Sequence, residues 1–239
     1  MEDQTPSTTK VLKALTGQPV SLDVAKSAKR QPAVAGLYAW WTTKGSIPGV
    51  PSSPHPSEQL DLFYVGIAPK DKTSGATLRS RVVGNHINGN TGSSTFRKTL
   101  AALLFRKVKW QPRMTDRPLL SSEDNAALRD WQNQHLRLTW AEHPRPWQIE
   151  KDVINKLAPP LNLAGNTSHP FHQTLSDART SFKNAAQPTG DGERSSVTHR
   201  IMRNRGGQPG GQAHPAQRDR RHPQREQERF VTMIEVDPV

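Results

Sequence analysis

Apolar residues alternate in some stretches of this chain and recur at helical spacing in others, and the two periods divide it into elements. Val34–Trp41 alternates and is rich in aromatic residues, the pattern of a half-buried strand. Residues 43–58 follow with Gly45, Pro48, Gly49, Pro51 and Pro54, and read as a long loop. Leu60–Ile67 is a second strand. A short helix is predicted over Thr77–Val83, stopping near Gly84 or Asn85, and residues 89–92 form a turn. Ser93 or Ser94 can then cap a helix whose apolar positions Phe96, Leu100, Leu103 and Leu104 follow helical spacing. Glu123–Gln134 reads as a helix and His135–Ala141 as a third strand. Pro146–Leu157 is a helix opened by proline and closed by Pro159-Pro160, and a last helix spans Phe171–Ala186.

These elements predict a small α+β domain in which a mainly antiparallel three-stranded sheet is flanked by helices. The apolar pattern then stops. No Leu follows Leu175 and no Trp follows Trp147, and from Pro188 the chain is dominated by Gly, Pro, Gln, Arg and other polar residues. Such a composition cannot bury enough apolar surface to offset its ordering entropy, so it predicts a disordered tail, the strand-like Phe230–Val236 included. The expected organisation is an N-terminal segment (1–33), a folded domain with a C-terminal helix (34–187) and the tail (188–239).

Charge locates the expected partner. The 239-residue chain carries a formal net charge of +12, of which residues 188–239 contribute only +2, leaving +10 on the folded body. A basic folded surface points to nucleic acid. The absence of cysteine excludes a disulfide framework, a thiolate metal site and a cysteine nucleophile. The longest apolar run, Leu100–Phe105, is far short of the roughly 20 residues of a membrane span. With a polar N-terminus as well, a cytoplasmic protein without a membrane partner is expected, and no Walker loop, HExxH or Gly-x-Ser-x-Gly occurs.

Three residues stand out against this background. The only tyrosines, Tyr38 and Tyr64, lie in predicted strands, each two residues from a glycine. Alternation puts Val34, Gly36, Tyr38 and Trp40 on one face, and Leu60, Leu62, Tyr64 and Gly66 on one face of the second strand. A glycine inside a strand marks a bulge or the close approach of a ligand or another backbone. The third residue is Glu150. On a helical wheel of about 100° per residue it falls inside the apolar arc of Ile149, Val153, Ile154 and Leu157. A carboxylate there needs a partner, either a cation in an ion pair or a metal.

Together these residues resemble the GIY-YIG nuclease family. Gly36-Leu37-Tyr38 stands for the first signature and Tyr64-Val65-Gly66 for the second; Leu78-Arg79-Ser80-Arg81 opens the helix where the family keeps an arginine, and His86 follows. Glu150, with Asn162 twelve positions later in Pro159-Pro160-Leu161-Asn162, is similar to the catalytic region of the bacterial excision-repair incision subunit. The resemblance covers residues 34–166. The loop between the signatures is long and proline-rich where the family has a tight hairpin. Arg81 and His86 are five apart against the family's usual four, and Gly84 between them can end or bulge the helix.

The resemblance implies metal-dependent endonucleolytic cleavage of DNA. In it, Glu150 holds Mg2+ or Mn2+, Tyr38 helps deprotonate the attacking water, and Tyr64 and His86 arrange or relay the proton. Arg81, with Arg79 as the alternative, takes the scissile phosphate, and Asn162 buttresses the site. Gly36 and Gly66 are the signature backbone positions. Arg97 and Lys98, just inside a helix N-terminus, are candidate phosphate contacts beside Arg79, whereas His169 and His172 read as surface histidines.

Overall fold

The alternating stretches become the strands of one antiparallel sheet. The structure, a computed structural model, describes residues 6–27 and 32–188; the tail from 189, with Phe230–Val236, lies outside the described residues. In chain order the elements are α1 (Thr8–Leu15), β1 (Val20–Ser21), α2 (Leu22–Lys26), β2 (Gly36–Thr43), β3 (Leu60–Ala68), a π-helix (Ser80–Ile87), α3 (Thr95–Leu104), β4 (Arg113–Met114), β5 (Pro118–Leu119), α4 (Ser122–His135), β6 (Leu136–Glu142), a 3-10 turn (Pro146–Gln148), α5 (Glu150–Leu157) and α6 (His172–Ala185).

The strand order is β1-β6-β2-β3, and β4 and β5 form a separate ribbon. The expected three-stranded sheet is therefore extended by β1, too short to register as a period, which pairs with β6 through Val20–Leu138 and Ser21–Arg137. Leu37, Ala39 and Trp41 on β2 and Val65 and Ile67 on β3 pack with Val11 and Leu15 of α1 and Val153 and Ile154 of α5. The opposite face carries Tyr38, Trp40 and Tyr64. There Trp40 stacks on Phe96 of α3 with ring centroids 4.9 Å apart, and Tyr64 tilts against the same ring at 5.3 Å.

Three local expectations are corrected. Trp40 pairs with Tyr64 but Trp41 pairs with Leu62, so Phe63 is an extra residue forming a β-bulge. The bulge moves Leu60 and Leu62 to the face of Val65, away from Tyr64 and Gly66. The helix expected to stop near Gly84 runs through it to Ile87 with π winding, marked by the bond from Asn88 N–H to Val83 O (3.0 Å). Gly84 is solvent-exposed there, so nothing opposes the passage. The single helix expected from Pro146 is two pieces, with Glu150 opening α5 after the 3-10 turn.

Candidate active site

The two signature glycines are places where a side chain would collide with the fold itself. A Cβ on Gly66 would overlap the phenol of Tyr38, its partner across the β2–β3 ladder. A Cβ on Gly36 would overlap the carbonyl of Ala141 on β6 and the side chain of Leu78. Of the alternatives open at the sequence level, close approach of backbone and ring explains both. Tyr38 thereby lies flat along its own sheet, 1 % exposed.

His86 fixes that phenol. Its Nε2 lies 2.7 Å from Tyr38 Oη and its Nδ1 lies 2.7 Å from Ser94 Oγ. Ser94 is also the N-cap of α3, its oxygen accepting from Arg97 N–H at 3.1 Å. Burial first, then the positive charges of Arg81 and Arg97, push the imidazole down to about 3, so His86 is neutral. A neutral imidazole has one donor and one acceptor, so the chain Ser94–His86–Tyr38 runs in one direction or the other as a unit.

Arg81 lies against the Tyr38 phenol, close enough to hydrogen-bond it and to favour its ionised form. Burial nevertheless dominates, with Tyr64 acting in the same sense, and the Tyr38 phenol is held protonated well above the ordinary tyrosine range. Tyr64, whose ring centroid is 6.4 Å from that of Tyr38, is pushed up to about 12 by burial and then by the Glu150 carboxylate, against Arg81 and Arg179. Arg79 takes no part in these interactions; one of its terminal nitrogens is buried without a hydrogen bond.

Glu150 comes from α5, on the other side of the sheet, yet its charge acts on both phenols. Partial burial raises its pKa and Arg81 lowers it. Among the described residues its carboxylate makes no ion pair and no hydrogen bond, which removes the structural ion pair as its explanation. No group of three or more His, Asp or Glu is placed to share a cation with it among those residues. A lone, half-buried and unpartnered carboxylate fits a hard ion such as Mg2+ that keeps most of its waters.

The side chain of Asn162 bonds to none of Tyr38, Tyr64, Arg81, His86 and Glu150. Its side-chain amide clasps the outer edge of β3, donating to Val65 O (2.8 Å) and accepting from Val65 N–H (3.0 Å). Leu161 N–H adds a bond to Phe63 O at 2.9 Å. The edge strand that carries Tyr64 is thus closed by the Pro159–Asn162 turn.

Arg97 is a correction. It is fully buried, and its guanidinium donates to Ile87 O (3.1 Å), Asn125 O (2.9 Å) and Gln132 Oε1. It caps the carbonyl end of the π-helix and cannot reach a phosphate outside. Lys98, next in sequence, is half-buried and keeps its candidacy. His169 is partly buried, its Nδ1 accepting from Phe171 N–H.

Two contributors escape the sequence reading. Ser94 reads there only as a cap. Arg179 of α6 acts on Tyr64, and its signal is present in the sequence: it sits four residues after Leu175 and three before Phe182, both fully buried. The same wheel that isolates Glu150 isolates Arg179.

A family model described as the GIY-YIG catalytic domain matches residues 36–181, a span that contains every residue of this site. No curated protein and no solved structure matches the chain.

Proposed function

The chain belongs to the GIY-YIG family of nuclease domains, and from that premise we propose that it is a metal-dependent endonuclease that hydrolyses DNA phosphodiester bonds. The observation that carries this reading is Glu150, an unpaired and half-buried acid whose charge acts on both phenols beside Arg81.

Glu150 would hold Mg2+ or Mn2+. When bound, such an ion supplies neutralisation of the charge developing on the phosphate oxygens. Tyr38 gives up its proton only when added positive charge faces it, because burial alone holds the phenol protonated. Arg81 supplies part of that charge, and its forked donors suit a phosphate. His86 Nε2 fixes the phenol oxygen and is the nearest group through which its proton can be relayed. Tyr64 borders the same space, and Asn162 keeps its strand in register.

A second reading, a DNA-binding module on this scaffold that does not cleave, is favoured by one observation: the Tyr38 phenol is almost wholly enclosed. The deciding experiment incubates plasmid, branched and single-stranded DNA with the protein in Mg2+ or Mn2+. Cleavage by the wild type, abolished in Glu150→Ala with DNA binding kept, supports the endonuclease. Cleavage unchanged in that variant overturns the assignment of Glu150, and no cleavage of any form by the wild type supports the second reading.

A further inference from the structure

Arg179 projects from the buried face of α6 between Leu175 and Phe182, where an uncompensated guanidinium is costly. Among the described residues it makes no ion pair and no side-chain hydrogen bond. The same holds for Lys98. It lies on α3, which packs along α6, on the same helix face as Ala102 and Phe105, whose ring meets Phe182 of α6 with centroids 5.4 Å apart. The groups acting on Lys98 are Arg179 and Arg117, both cations, and the group acting on Arg179 is the phenol of Tyr64. Two acids of the neighbouring segments are engaged elsewhere: Asp177 accepts from Gln173 at 2.8 Å, and Asp116 pairs with Arg117 at 3.5 Å. Arg117 is anchored by its bond to Gly92 O (3.1 Å), in the turn that leads into α3.

We propose that Arg179 and Lys98 form a phosphate-binding site beside Tyr64, which takes a backbone phosphate of the DNA strand next to the one cleaved, with Arg117 at its outer end. Two half-buried cations from separate helices repel each other and lack a counter-ion, and an anion between them would relieve both costs. The position next to Tyr64 gives that anion a function. A strand held there at one phosphate has its neighbouring phosphate set against Arg81 and Glu150, so the pair acts on register rather than on the reacting atoms. This inference rests on the nuclease reading for the identity of the ligand.

The test measures binding of a fluorescein-labelled DNA duplex by anisotropy over a range of KCl concentrations, in EDTA so that no cleavage intervenes. Each cation withdrawn from a phosphate reduces the slope of log K against log salt by about 0.9. Arg179→Gln and Lys98→Gln are each expected to reduce the slope by about that amount, and the double variant by about twice as much. Lys44→Gln, which removes an exposed charge bonded to Gln59, is expected to leave it unchanged, and Arg179→Lys to retain most of it. Unfolding curves identify any variant that fails to fold, and Lys98→Gln then carries the test alone. An unchanged slope in the double variant overturns the site, as does an equal drop in Lys44→Gln. Glu150-dependent cleavage together with a flat slope sinks this inference and leaves the nuclease reading standing. A reduced slope in a protein that cleaves nothing does the reverse.

Discussion

Arg81 and His86 stand five residues apart and both face the phenol of Tyr38, because the backbone between them is wound as a π-helix. On an α-helix of about 100° per residue, five steps would turn them roughly 140° away from each other. With i to i+5 bonding they come back into line. The extra residue relative to the family spacing is absorbed by winding, not by a break at Gly84. The strain of that unusual turn is limited by Arg97, which satisfies the carbonyls its end leaves open.

His86 makes the fold acid-sensitive. In the unfolded chain a histidine binds its proton near 6.5, whereas the buried His86 does so only at about 3. Between those values the unfolded state holds more protons, so stability falls as pH is lowered through that window, by up to about 1.4 kcal/mol per pH unit for this one group. Urea unfolding at pH 6.5, 5.5 and 4.5 is expected to show a shallower decline in His86→Gln than in the wild type. Parallel declines would mean that His86 is not the buried neutral group described.

Gly66 is held by the ring of Tyr38, and Gly66→Ala places a methyl where that ring lies. Backbone on one side and a packed aromatic on the other leave little room to yield, so a loss of about 1–3 kcal/mol is expected. Cleavage should fall further than stability does, since the displaced atom is the phenol oxygen. Pairing the double variant Gly66→Ala/Tyr38→Phe with each single one checks this: much of the stability loss should persist, because the ring is still in the way.

The sequence carries most of this fold but not its irregular turns. Alternation locates β2, β3 and β6, and helical spacing locates α3 to α6, since both periods record which side chains meet a core. It misplaces Leu60 and Leu62 because a bulge at Phe63 inverts a face without leaving any trace in composition. Glu150 is legible as an acid among apolar positions. Arg97 and Arg179 obey the same rule, Arg97 three residues before Leu100 and seven before Leu104, but arginines in a basic chain invite a solvent reading. The π winding is legible only as one of two alternatives, a helix that ends or bulges at Gly84, because the five-residue Arg81–His86 spacing does not choose between them.

Asn162 has a structural role that separates from the chemistry. Asn162→Leu removes both bonds to Val65 and leaves a buried N–H and C=O unpaired, at a cost of about 1–3 kcal/mol for each group. Because those groups belong to the strand that bears Tyr64, activity should drop through misplacement rather than through a lost reacting group. The drop in kcat should therefore show the same pH profile as the wild type, whereas Tyr38→Phe alters the profile itself. A changed profile in Asn162→Leu would place the amide among the reacting groups.

Deleting Gly84 tests the winding directly. The residue is solvent-exposed, and its removal shortens the Arg81–His86 spacing to four while keeping Val82 and Val83 in order before the cut. Four residues on an α-helix turn through about 40° beyond one full turn, which returns Arg81 and His86 to nearly one face. The deletion is therefore expected to fold with stability within about 1 kcal/mol of the wild type, since it removes a helix-weakening glycine along with the π turn. It should also retain metal-dependent cleavage. Inserting an alanine after Gly84 makes the spacing six, which neither winding brings into line, and cleavage should be lost while the sheet still folds. Loss of activity in the deletion, with the fold intact by circular dichroism, would show that the π turn holds Arg81 in a way an α-helix cannot.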